Sequence, residues 1–143
     1  MRHLPQEWAE SALNRAVNGK MYALRRSAGV PYFVLGAIRA EASYLRHRGE
    51  DSSILYRIME ILFQQMSKRG FCVSLNPLFW NSSSPENALV LERSDEEAIV
   101  HCLNVMRFII LDSAVARVVP IFLGRCVVVA LYAFQSNSWL VRN

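Results

Sequence analysis

The chain has 143 residues, which is enough for one domain with a buried core. Hydrophobic residues make up 52% of it and the mean hydropathy is +0.16, so some apolar surface is expected to need a partner. The net charge of +4 is too small to indicate nucleic-acid binding alone, although residues 1–48 carry eight basic side chains against three acidic ones.

The first predicted helix covers residues 5–18. Helical spacing is shown by Trp8 or Ala9, by Leu13, and by Ala16 or Val17. Pro5 suits a first turn, and Gly19 suits a helix end. The charges and the tryptophan among the first ten residues are unlike the apolar segment of a signal peptide, so none is expected.

A second helical stretch extends from Tyr22 to Tyr44, and its main helix is predicted at 30–45. The segment Val30 to Ile38 is apolar on nearly every side, which indicates burial between neighbours. Pro31 is expected to kink the helix or to start it anew, because proline has no N–H to donate to the carbonyl of Ser27.

The third helix is predicted at 53–68, with an apolar stripe that includes Ile54, Ile58 and Leu62. Lys68 and Arg69 complement the negative end of the helix dipole, and Gly70 is the expected stop. Residues 71–93 contain two prolines and a run of serines, so they are predicted to form one long irregular connection.

Two more helices are predicted at 95–111 and 116–134. Ser94 and Glu97 form a capping box before the first, and the second is expected to kink at Pro120. The apolar run Val118–Phe134 is too short to span a membrane and contains Arg125. Residues 136–143 are interpreted as the truncated start of a further repeat. Without that neighbour, four large side chains of the preceding helix are expected to be partly exposed: Ile121, Phe122, Leu131 and Phe134.

These elements predict an all-α chain and a single helical-repeat segment over residues 1–143. Antiparallel pairs of about 40 residues would match a HEAT-like or armadillo-like α-solenoid, with a compact bundle as the alternative. An isolated piece of such a solenoid is expected to be poorly soluble or oligomeric, because repeats bury their faces against neighbours.

No catalytic pattern is present in the sequence. The six glycines are isolated, so a glycine-rich nucleotide-binding turn is missing, and the three histidines are scattered. Three cysteines at wide spacing indicate neither a disulfide framework nor a zinc site: Cys72, Cys102 and Cys126. Asp95, Glu96 and Glu97 are explained by the positive end of a helix. We therefore expect a non-enzyme with no cofactor, no metal and a reducing, cytoplasmic location.

The segment Arg25-Arg26-Ser27-Ala28-Gly29-Val30-Pro31 is the most distinctive. Small residues at 27–29 permit close backbone approach, and two arginines suit a phosphate or carboxylate partner. From spacing alone, the arginines could equally pair with internal acids such as Glu41 or Glu60.

This segment is similar to the signature of the thyroid adenoma-associated protein family, which usually has Leu or Ile at position 30. A second block, His101–Arg107 with Asp112-Ser113, resembles the helix that follows in that family. A third, Phe134 with Ser136 and Trp139–Asn143, resembles the start of its next repeat. Leu111 and Ala114 depart from the pattern, because family members typically carry arginines there.

The resemblance implies a large α-solenoid that pairs with a separate 2′-O-methyltransferase and helps it to modify the anticodon loop of tRNA. It assigns the supporting role to one group of residues only: Arg25, Arg26, Ser27, Ala28, Gly29 and Pro31. Arg107, in the second block, is added to them as a predicted partner- or RNA-binding residue. The expected partners are that methyltransferase, tRNA, and either the rest of a longer solenoid or a second copy. The alternatives are a protein-interaction scaffold without an RNA role and an inactive truncated product.

Overall fold

The computed structural model describes residues 4–18, 29–46, 53–71, 93–135 and Val141. These residues form five α-helices and no strand: α1 (Leu4–Asn18), α2 (Val30–Arg46), α3 (Ser53–Lys68), α4 (Arg93–Ile110) and α5 (Val119–Gln135). The predicted all-α class is confirmed. Each predicted helix is present, with both ends within three residues of the expected positions.

Prolines mark the starts of three helices. Pro5, Pro31 and Pro120 are each the second residue of their helix. The N–H groups of a first turn have no partner within the helix, so a proline there removes no helical hydrogen bond. Pro31 therefore lies at the start of α2 and makes no kink within that helix. The part of the predicted stretch from Tyr22 to Ala28 lies outside the described residues. The kink predicted at Pro120 is wrong, because residues 113–118 are turns and the helix begins after them.

The end of α3 explains why a glycine follows it. The N–H of Gly70 donates to the carbonyl of Ser67 at 3.1 Å, and that of Phe71 donates to the carbonyl of Met66 at 3.0 Å. This pair of bonds is a Schellman motif, which needs a left-handed residue at its first outer position. Gly70 supplies it with a φ of 82°. Phe71 and Met66 are both buried, which adds the apolar contact that accompanies the motif.

Helix α4 lies at the centre of the fold, because it contacts each of the other four helices. Its buried face contains Ile99, Cys102, Val105, Met106 and Ile109, at the spacing of a helical stripe. The helix begins at Arg93, so Ser94 lies within its first turn instead of capping it from outside. The solenoid order of the helix pairs remains a prediction.

Arg69 joins three helices where α3 ends. Its Nη2 donates to Asn18 of α1 at 3.2 Å, and its Nη1 donates to the side chain and the backbone carbonyl of Gln65 in α3. Its Nε lies 3.2 Å from Oδ1 of Asp95 in α4, an ion pair without hydrogen-bond geometry. Asp95, in the acidic first turn of α4, is thus stabilised by Arg69 as well as by the positive end of its own helix dipole.

Helix α5 has one buried and one exposed apolar side. Phe122 packs its ring against Tyr56 and Phe63. The predicted exposure is therefore wrong for Phe122, while Ile121, Leu131 and Phe134 are exposed as expected. Leu123 and Val127 are also exposed, and with Leu131 and Phe134 they form a stripe, which we call the α5 stripe.

Some expectations concern residues outside the described part of the chain. Of the irregular connection predicted at 71–93, only Phe71 and Arg93 are described, and of the segment 136–143, only Val141, which is helical and buried. Among the described helices, none has the length and the apolar character that a membrane crossing requires.

Candidate functional site

Three of the seven predicted binding residues lie in the described part of the chain. Gly29 is exposed just before α2, and its carbonyl accepts the N–H of Phe33 at 3.0 Å. Pro31 is buried in the first turn of α2, and Arg107 is exposed near the end of α4. Arg25, Arg26, Ser27 and Ala28 lie outside the described residues.

The structure brings the start of α2 next to the end of α4. Tyr32, which follows Pro31, meets Phe108, which follows Arg107, with ring centroids 4.8 Å apart and the rings at 72°. Such an edge-to-face contact is a favourable geometry for two aromatic rings. Two blocks that the sequence analysis treated separately therefore lie side by side, with Gly29 and Pro31 at the start of one helix and Arg107 near the end of the other.

An ion pair that the sequence did not predict joins the middle of α2 to the turn after α4. Nε of Arg39 in α2 donates to Oδ2 of Asp112 at 2.8 Å, and Nη2 of the same arginine also donates to that oxygen. The Asp112 side chain is 3% exposed, whereas that of Arg39 is 58% exposed. A buried acid thus holds the guanidinium of an arginine that faces solvent.

Asp112 also organises the turn that follows α4. Its Oδ1 accepts the N–H of Ala114 at 2.9 Å, so both carboxylate oxygens have donors. The hydrogen bond from Arg39 lowers the pKa of Asp112, burial opposes that shift, and the Ala114 N–H adds to it. The same hydrogen bond raises the pKa of Arg39. Both groups are therefore charged at neutral pH.

The signal for this pair was present in the sequence but was not specific. Arg39 directly follows the apolar run that ends at Ile38, and Asp112 directly follows the apolar run Ile109-Ile110-Leu111 at the end of α4. Each position places a charge at the edge of a buried face, where an opposite charge is favoured. Periodicity could not connect them, because 73 residues separate the two in the chain.

The two internal acids considered as partners for Arg25 and Arg26 have other contacts. Oε2 of Glu41 accepts the N–H of Ile54 at 2.7 Å, so this side chain of α2 caps the start of α3. Oε1 of Glu60 accepts from Nη1 of Arg125 at 2.6 Å. Because Arg25 and Arg26 lie outside the described residues, their own partners remain a matter of prediction.

The departures from the family pattern fall beside this ion pair. Leu111 is 75% exposed, and Ala114 is half-buried with its N–H on Asp112. The N–H of Leu111 donates to the carbonyl of Arg107 at 3.1 Å, so the two residues are one helical turn apart. An arginine at position 111 would therefore project into solvent close to Arg107. This chain therefore presents less positive charge here than the family pattern implies.

The described cysteines are poorly suited to nucleophilic chemistry. Burial raises the pKa of the Cys102 thiol to about 12, with a partial opposing effect from Arg69. Burial likewise raises the pKa of Cys126 to about 11. Both thiols stay protonated at neutral pH, and the thiolate is the reactive form. Cys72 lies outside the described residues.

A charged, open cavity of about 660 Å³ lies beside α3 and α5. Glu60 on its wall is paired with Arg125, and Arg57 is paired with Glu10 of α1. The Arg125 guanidinium also lies 3.9 Å above the centre of the Phe63 ring. These contacts connect neighbouring helices, so we assign them to packing.

Comparison with known proteins identifies a family. A family model described as THADA/TRM732, DUF2428 matches residues 1–140, nearly the whole chain. No curated protein and no solved structure matches the chain.

Proposed function

The chain belongs to the THADA/TRM732 family, and we propose that it is a non-catalytic segment that supports ribose 2′-O-methylation in the anticodon loop of tRNA. The family match over residues 1–140 carries this proposal, since the family is associated with tRNA modification. A separate methyltransferase would supply the chemistry. This chain would bind and position, and it would act in the cytoplasm.

The binding role is assigned to the segment from Arg25 to Pro31 together with Arg107. Two observations support placing them in one surface. Gly29 is exposed just before α2, three residues after Arg26 in the chain. Arg107 is exposed next to Phe108, whose ring touches Tyr32. Arginine suits such a surface because its planar guanidinium can bind phosphate or carboxylate through two parallel hydrogen bonds.

Pro31 has a specific part in this proposal. Pro31 is buried in the first turn of α2, where its fixed φ suits a helix start, and α2 begins at Val30, directly after Gly29. Arg25 and Arg26 would then project from a connection that is anchored at Gly29. In this proposal the start of α2, and not a kink within that helix, supports the segment that contains Arg25 and Arg26.

The competing function is a protein-interaction scaffold without an RNA role. The exposed apolar side chains of α5 favour it, because a face of this kind suits another protein. The two functions differ in their response to salt. Phosphate contacts lose affinity steeply between about 50 and 200 mM salt, whereas apolar contacts do not.

The test is capture of partners from cell extract on the tagged chain. The eluate is probed for tRNA and for transfer of a labelled methyl group from S-adenosylmethionine to an anticodon stem-loop. We expect both signals, and both should fall in Arg107→Ala and in an Arg25→Ala, Arg26→Ala double variant. Arg15→Ala removes an exposed arginine of α1 and is the matched control. Capture of protein without methyl transfer or tRNA, unchanged by salt, would favour the scaffold.

A further inference from the structure

Two aromatic side chains are exposed at the start of α2. Tyr32 is 65% exposed and Phe33 is 49% exposed. The Tyr32 ring is held by its edge-to-face contact with Phe108, so it keeps a fixed orientation while much of its surface stays open to solvent. A fixed, exposed ring loses little conformational entropy when a flat partner stacks on it.

Arg39 lies on the same side of α2, seven residues after Tyr32. Seven residues are two helical turns, so the two side chains are separated by about 10 Å along the helix axis. Asp112 holds Nε and Nη2 of Arg39, and Nη1 has no partner among the described residues. The guanidinium is therefore positioned by Asp112, and within the described part of the chain its Nη1 edge is available as a donor.

Because Gly36 has no side chain, the backbone of α2 is accessible between Tyr32 and Arg39. Gly36 shares this side of α2, it is exposed, and no atom lies within 4 Å of the point where a Cβ would stand. The backbone of a bound molecule could therefore approach the backbone of α2 between the Tyr32 ring and the Arg39 guanidinium without meeting a side chain.

The charge around this surface is positive. Each of the two contacting helices has an exposed arginine, Arg39 in α2 and Arg107 in α4, and Asp112, which is buried and paired with Arg39, offsets one of the two charges. An acidic partner is therefore favoured. Single-stranded nucleic acid combines negative phosphates with flat bases, which is the chemistry that arginine and an exposed ring together recognise.

We propose that Tyr32, Gly36 and Arg39 form a contact surface for an unpaired RNA loop. A base would stack on the ring of Tyr32, its backbone would pass over Gly36, and Nη1 of Arg39 would donate to a phosphate oxygen. Asp112 is the positioning residue that holds Arg39 for this contact. The inference rests on the proposed function, because it specifies how the chain would contact the anticodon loop.

Binding of a fluorescent RNA to the full chain tests this inference by anisotropy. The probe is a single-stranded oligonucleotide with an anticodon-loop sequence, compared with the same strand annealed to its complement. We expect the single strand to bind more tightly, because its bases are free to stack. Tyr32→Ala should weaken its binding by between about fivefold and a hundredfold, the range of base stacking on an aromatic side chain, while Tyr32→Phe should keep it.

A second pair of variants keeps the test independent of folding. Gly36→Glu and Gly36→Ala both favour the helix over glycine, but only the first adds bulk and negative charge between Tyr32 and Arg39. We expect Gly36→Glu to lower RNA binding at least tenfold and Gly36→Ala, which adds one methyl group and no charge, to lower it less. Trp8→Ala removes a ring of similar exposure from α1 and should leave binding unchanged.

The outcomes separate this inference from the proposed function. RNA binding and methylation that stay at the wild-type level in Tyr32→Ala and Gly36→Glu would overturn the inference and leave the proposed function standing. Loss of methyltransferase capture with RNA binding intact would also overturn it, because the surface would then bind protein. Absence of RNA binding and of any effect on methylation in the wild-type chain would overturn both.

Discussion

The guanidinium of Arg39 in α2 and the carboxylate of Asp112 after α4 form an ion pair across 73 residues of sequence. Together with the contact between Tyr32 and Phe108, it fixes the start of α2 against the end of α4. The two family blocks that end at Pro31 and begin at His101 therefore belong to one structural unit. A substitution at this ion pair should therefore affect the structure of both blocks.

We expect Asp112→Asn to lower the melting temperature at neutral pH, because the charged acceptor of Arg39 is lost. Asp112 has a lowered pKa in the folded chain, so its stabilising effect is complete above the ordinary aspartate pKa of about 3.9. That effect is lost as the pH falls through the folded value. The difference in melting temperature between wild type and Asp112→Asn should therefore shrink below about pH 4.

Circular dichroism melts between pH 3 and pH 8 would measure this difference. Glu7→Gln changes an exposed carboxylate of α1 and is the control. A difference that is constant across the pH range would show that the lost stability does not come from the charge of Asp112.

We expect Gly70→Ala to destabilise the chain by about 1–2 kcal/mol, because a Cβ is disfavoured at a φ of 82°. Gly36→Ala should have the opposite sign, with a gain of up to about 1 kcal/mol, since this glycine lies in the middle of α2 with open space around it. Urea denaturation measures both free energies of unfolding. Equal effects of the two substitutions would contradict the Schellman ending of α3.

We expect Arg125→Ala to destabilise the chain by about 1 kcal/mol through loss of the cation–π contact with Phe63. The ion pair with Glu60 should add little, because the Glu60 side chain is 57% exposed. Arg125→Met keeps most of the apolar stem and should lose less than Arg125→Ala. A Glu60→Gln variant that loses as much as Arg125→Ala would show that the ion pair is the main contact.

We expect the purified chain to self-associate through the α5 stripe, which exposes Leu123, Val127, Leu131 and Phe134. Size-exclusion chromatography with light scattering should show oligomers, and a Val127→Lys, Leu131→Lys double variant should shift them towards monomer. Leu111→Lys removes an exposed apolar side chain elsewhere and is the control. A monodisperse wild-type monomer would contradict this expectation.

The sequence predicted the helices well because local signals marked their ends. Pro5, Pro31 and Gly70 each lie at a helix terminus, and the apolar periodicity between termini is regular. The kink at Pro120 was mispredicted, since the apolar pattern continues upstream through Val115 although residues 113–118 form turns. Apolar periodicity indicates which side chains are buried. Residues in buried turns can show the same apolar pattern as residues in a helix, so the pattern did not mark where α5 begins.

The candidate site was only partly predictable. The sequence predicted a binding role for Gly29, Pro31 and Arg107, which stays a prediction, and it could not show that Arg39 and Asp112 meet or that Tyr32 touches Phe108. Those contacts depend on how α2 crosses α4, which no local pattern determines. The exposure of Phe122 was mispredicted for the same reason, because its burial depends on rings supplied by α3.

The most direct test of the central claim is the 2′-O-methyl content of anticodon-loop nucleotides in cells. The full-length family member is replaced by a version that carries alanine at the positions of Arg25 and Arg26, and purified tRNA is analysed by mass spectrometry. We expect ribose methylation to fall while the protein keeps its abundance and its helical circular dichroism. Methylation at the wild-type level in that variant, with the protein folded and expressed, would contradict it.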